Sequence, residues 1–96
     1  MNEQYVVRNS RTAWRVYDGE AVILCADDST LNTLNPVGTF IWESADGVTP
    51  VNAMVRRVCA EFDVDAAQAE RDVELFIDKL RQRGLLQFST TPHALP

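Results

Sequence analysis

The chain has 96 residues, a formal net charge of −5 and an apolar share of 46%, which bounds it to one domain with a modest core. The acidic balance weighs against nucleic-acid binding, which draws most of its affinity from Lys and Arg on phosphates. The longest apolar run, Ala21 to Ala26, suits a strand and is far too short to span a bilayer. The start Met-Asn-Glu-Gln has no basic region followed by an apolar one, so a cytoplasmic location is the expectation.

Tyr5-Val6-Val7 reads as a short edge strand, and Arg8 to Thr12 as a connector. A hairpin follows. Trp14 to Tyr17 leads through Asp18-Gly19 into Glu20 to Cys25. Asp-Gly between two β-prone runs is a strong hairpin signal, because a type I′ turn needs positive φ at both central residues. This sets Tyr17 opposite Glu20 and Val16 opposite Ala21. The turn-rich run Ala26-Asp27-Asp28-Ser29 predicts a second reversal, and a third strand, Thr30 to Leu34, completes an antiparallel meander.

The strand runs directly into a helix. Asn35 is a suitable N-cap and Pro36 a suitable first helical residue. Val37, Phe40 and Ile41 follow at helical spacing, and the helix runs to about Ser44. For the second helix Thr49 is the expected N-cap and Pro50 the first residue. Its apolar stripe is Val51, Met54, Val55, Val58, Cys59 and Phe62. The third starts at Asp65, which with Gln68 forms a capping-box-like pair, and ends at Gly84, a suitable left-handed residue. Its stripe is Ala69, Val73, Phe76, Ile77 and Leu80, which span about 100° in projection. Leu75 falls outside it, on the flank with Gln68, Asp72 and Lys79. It is either an ordinary exposed leucine or the lining of a groove. Leu85-Leu86-Gln87-Phe88 is expected to fold back over the core.

The pattern predicts an α+β unit over residues 1–88: sheet before the strand–helix junction, helix after it. Residues 89–96, with two prolines and no periodicity, read as a disordered tail. Cys25 and Cys59 lack CxxC spacing and read as reduced core thiols. The sole histidine, His93, lies in the tail, so no nucleophile has a positioned base. No metal-ligand spacing or glycine-rich phosphate loop is present. The expectation is a protein without catalytic activity, metal or cofactor. Gly38, inside the first helical turn, suggests close backbone approach.

Several residues in this order resemble the PqqD-like proteins. They are Trp14-Arg15, Asp18-Gly19-Glu20, Leu34-Asn35-Pro36-Val37-Gly38, Ile41-Trp42 and Asp46-Gly47. Glu61-Phe62, Val64-Asp65, Asp72-Val73, Phe76, Leu80 and Gly84-Leu85-Leu86 continue the match over residues 5–88. The resemblance implies a winged helix-turn-helix fold, with a three-stranded sheet and three helices. It implies a non-catalytic recognition element for ribosomally made, post-translationally modified peptides. Such an element binds the leader of a precursor peptide and presents it to a modifying enzyme, often a radical S-adenosylmethionine enzyme.

In the family the leader adds as a strand beside the third strand and fills the groove toward the third helix. Carried over, the peptide-binding residues are Thr30, Leu31, Asn32, Thr33 and Leu34 with Asp72, Leu75, Phe76, Lys79 and Arg83. Relatives commonly hold a larger apolar or aromatic residue where this chain has Asn32. A winged-helix DNA-binding regulator is the alternative reading, although it would want a basic recognition helix, and the second and third helices here carry mixed charge. The free edge also invites a homodimer by strand or domain exchange, and the sequence leaves monomer and homodimer both open.

Overall fold

The computed structural model describes residues 4–27 and 29–92. Asp28 of the second turn, His93 and the end of the expected tail lie outside the described residues. In chain order the elements are β1 (Tyr5–Arg8), β2 (Thr12–Tyr17), β3 (Glu20–Cys25), β4 (Thr30–Thr33) and α1 (Pro36–Ser44). Then come β5 (Asp46–Pro50), α2 (Val51–Phe62), α3 (Ala66–Gln82) and β6 (Leu86–Ser89).

The expected meander is present. β2, β3 and β4 form one antiparallel sheet in that order, with Tyr17 opposite Glu20 and Val16 opposite Ala21. Asp18 and Gly19 both have positive φ, 52° and 77°, as the two-residue turn requires. Cys25, Ile23 and Ala21 point into the core, at 3%, 0% and 0% exposure. Leu24, between them, is 46% exposed, so the sheet has a covered face and an open one.

A division into sheet before the junction and helix after it is incomplete. β1 is the middle strand of a second antiparallel sheet, flanked by β5 and β6. It brings Tyr5 opposite Ser89 and Arg8 opposite Leu86. Ser89, the first residue of the expected tail, is therefore the last of β6. The fold-back of Leu85 and Leu86 occurs, and both are 1% exposed. β5 escapes sequence reading because Asp-Gly-Val-Thr-Pro lacks strand propensity. Pairing with β1 makes it a strand.

β5 also displaces the expected cap of α2. Thr49 sits in the strand, 5% exposed. Its hydroxyl donates to Asp46 Oδ2 at 3.1 Å and its N–H to Asp46 Oδ1 at 2.9 Å. Pro50 takes the N-cap position with no side-chain bond. The N–H of Val51 donates instead to the Gln4 carbonyl beside β1, at 2.9 Å. α1 and α3 begin as expected. Asn35 Oδ1 accepts from Gly38 N–H, and Asp65 Oδ1 from Gln68 N–H, each at 2.7 Å. The Gln68 side chain donates onward to Asp72 Oδ1 at 2.8 Å.

Trp42, at 0% exposure, is the largest core residue. It sits edge-on to Trp14, with ring centroids 6.0 Å apart. α1 therefore buries its Ile41–Trp42 side more deeply than Val37 and Phe40, which are only partly buried. The Arg8 guanidinium lies 5.1 Å from the Trp14 ring centroid and 6.0 Å from that of Trp42. It donates to the Trp42 and Glu43 carbonyls at 2.9 and 3.0 Å, at the negative end of the α1 dipole. Burial lowers its pKa, opposed by Asp46 and Glu43. Cys25 is a buried free thiol and Cys59 a half-buried one.

Asp46 makes the β5 turn sensitive to acid. Desolvation raises its pKa, but hydrogen bonds from Val48 N–H, Thr49 Oγ1–H and Thr49 N–H outweigh that, and the carboxyl ionises below the ordinary value of 3.8. A carboxyl with a depressed folded pKa stabilises the fold above its unfolded pKa and loses that contribution as pH falls through the folded one. Urea unfolding followed from pH 6 to pH 2 should therefore show wild type losing more stability below about pH 4 than Asp46→Asn does. Parallel curves for the two proteins would exclude this role.

Candidate functional site

β4 is an edge strand. Its pairing with β3 sets Thr33 opposite Val22, Asn32 opposite Ile23 and Leu31 opposite Leu24. Leu34 N–H donates to the Ala21 carbonyl at 2.8 Å. Bonded and non-bonded pairs alternate along an antiparallel ladder, so Asn32 is bonded inward, and Leu31 and Thr33 turn their N–H and C=O groups to the open edge. An edge of this kind is a template for a further strand.

The end of the edge is set by one hydroxyl. Thr39 in α1 is 3% exposed. Its Oγ1 accepts from Ala21 N–H at 2.7 Å and reaches the Leu34 carbonyl at 3.4 Å. The hydroxyl thus replaces one ladder bond and joins the start of β3, the residue after β4 and the helix.

Asp72, Leu75, Lys79 and Arg83 lie three to four residues apart on one side of α3, and the C-terminal end of that flank meets β4. One recess opens between α1 and α3, and a second between β4 and the C-terminal end of α3. The first, about 240 Å³, is lined by Asn35, Val37, Gly38 and Ile41 from the α1 side and Asp72, Leu75 and Phe76 from α3. Gly38 makes the close approach possible: a Cβ there would stand 2.8 Å from Phe76 Cε1. The second is lined by Thr30, Leu31, Asn32, Gln82 and Arg83. Across it Arg83 donates to Asn32 Oδ1 at 2.8 Å. Leu75 is 63% exposed and Leu31 68%, which leaves apolar surface on both sides of the edge. Among the described residues no group of three His, Cys, Asp or Glu gathers as a metal site. No helix among them is long and apolar enough to cross a membrane.

The fold that carries these recesses is shared with known proteins. The family model for Coenzyme PQQ synthesis protein D (PqqD) matches residues 20–86. The chain belongs to the PqqD family. A solved structure, TbiB1 in complex with the TbiA(beta) leader peptide, superposes with a TM-score of 0.78 at 28% identity. The match covers 84% of this chain and 94% of that one. No curated protein matches the chain.

In this PqqD-family chain the expected site residues do not all face one way. Asn32 and Arg83 meet, and Asp72, Leu75 and Phe76 share the first recess. Lys79 is exposed and lines neither of the two recesses. Alternation along the strand turns the side chains of Leu31 and Thr33 onto the open face of the sheet, beside Leu24, Val22 and Tyr17. Leu34 is a core residue at 8% exposure, and its N–H and C=O are bonded inward, to the Ala21 carbonyl and the Thr39 hydroxyl, so it offers the edge neither a side chain nor a pairing group. Asn35, Val37, Ile41, Gln82 and Thr39 enter the site without having been expected. The one signal for this wall was Gly38, a glycine in a helical turn where packing would otherwise favour a side chain.

Thr39→Val keeps the shape but leaves the buried Ala21 N–H without an acceptor. Chemical denaturation should show a loss of about 1–3 kcal/mol. Thr39→Ser, which keeps the oxygen, should lose less. Equal losses for the two would show that packing, not the hydroxyl, holds this end of β4.

Proposed function

We propose that the chain is a leader-peptide binding module. The leader of a ribosomally made precursor pairs with β4 as an added strand, and its groove-facing side chains enter the recesses along α3. The bound leader is then presented to a modifying enzyme, for which the family resemblance implies the radical S-adenosylmethionine class. The observation that carries this reading is the likeness, over most of both chains, to TbiB1 in complex with a leader peptide. The edge of β4 supports it independently. Main-chain pairing gives affinity whatever the sequence of the added strand, and pockets beside the strand give specificity. Here Leu31 and Thr33 supply the pairing groups, and the Leu75–Phe76 recess supplies a pocket.

Titration of the isotope-labelled chain with the leader of a precursor peptide sought in its gene neighbourhood tests this. Amide resonances of Leu31, Thr33 and residues 72–83 should shift. Leu75→Asp should weaken binding about tenfold or more, given the area of a leucine at a contact. Its unfolding midpoint should barely change, because the side chain is 63% exposed in the free protein. A saturating leader that perturbs neither region would overturn the reading.

A further inference from the structure

The groove along the α3 flank, walled by α1 at one end and by β4 at the other, is electrically polarised along its length. Its α1 end holds Asp72 beside an apolar recess. Its other end holds Arg83, with Lys79 one turn away on the same flank. This stands out in a chain of net charge −5. Among the described residues the acceptor recorded for the Arg83 guanidinium is the neutral amide oxygen of Asn32, and no carboxylate pairs with it. A guanidinium is suited to bidentate bonds with a carboxylate, which are stronger than a bond to a neutral amide.

The geometry points to a specificity rule: the added strand carries an aspartate or glutamate that takes over Arg83, four residues after an apolar side chain seated against Leu75 and Phe76. The rule rests on the strand-addition reading above. Its spacing follows from the two elements. Asn32 meets Arg83, and Asn35, three residues later, lines the recess with Asp72, Leu75 and Phe76. β4 therefore runs antiparallel to α3. A strand added antiparallel to β4 passes the apolar recess first and Arg83 second. Leu75 and Arg83 are eight residues apart, about 12 Å along a helix. Alternate residues of a strand share a face, and four residues span about 13 Å. The signature is therefore an apolar residue and an acid at positions i and i+4. Asn32 is a placeholder here: its amide holds Arg83 across the groove and is exchanged for the incoming carboxylate.

Selection from a displayed library of random 20-residue peptides, made on the full chain, tests the rule without a known leader. The winning pool should be enriched in an apolar residue followed four positions later by Asp or Glu. Replacing that acid by its amide in the consensus peptide should weaken binding about tenfold. Arg83→Gln should erase the difference between the two peptides, and Arg83→Glu should select Lys or Arg at the same position. Asn32→Asp, which supplies a carboxylate within the protein, should reduce the preference. A pool that shifts the amides of Leu31 and Thr33 but shows no acid at i+4, or whose acid ignores Arg83→Glu, would overturn the rule and leave strand addition standing. A pool that shifts neither amide would overturn both.

Discussion

The two sheets meet through one cation and two indoles. Arg8 belongs to β1, Trp14 to β2 and Trp42 to α1, so each major part of the fold supplies one member of the cluster. The guanidinium also occupies the carboxyl end of α1 through two carbonyls. A charge so placed works with the helix dipole and the ring faces together. α1 in turn carries Thr39, which fixes where β4 ends, and Gly38, which lets α3 approach. The position of the candidate groove is thus a consequence of how α1 is held.

On the proposed strand-addition reading, the groove divides two tasks between backbone and side chains. Leu31 and Thr33 offer main-chain groups that any extended peptide can use. The α3 flank offers chemistry that only some peptides can match. Specificity of this kind resides in a few pockets rather than in contact area. On that reading one scaffold would change its partner by exchanging a few residues, among them Asn32, Leu75 and Arg83, without disturbing the core. Leu75 and Arg83 are exposed, and Asn32 is half-buried outside the core cluster.

The second sheet has a different role. β1, β5 and β6 bring the two ends of the described chain together, with Tyr5 opposite Ser89. Asn9 adds to this closure, since its amide donates to the Gly84 carbonyl and its N–H to that of Leu85. The C-terminal end of α3, where Arg83 sits, is therefore anchored to the start of the chain. This restrains the wall of the groove opposite β4.

Local chemistry by itself determined the meander, the three helices and most of their ends. Asp18-Gly19, Asn35-Pro36, Asp65 and Gly84 act through their own backbone preferences and nearest neighbours, which makes them legible one residue at a time. The stripes of α2 and α3 were legible because helical periodicity reports burial. The second sheet was not, because β5 and β6 are strands only by virtue of their pairing with β1, about 40 and 80 residues away in sequence. The same limit applied to the site. The edge and Leu75 could be located from pattern and resemblance. That Leu31 faces the open side, that Leu34 belongs to the core, and that Arg83 reaches Asn32 across the groove depended on strand register and helix packing, which only the tertiary structure decided.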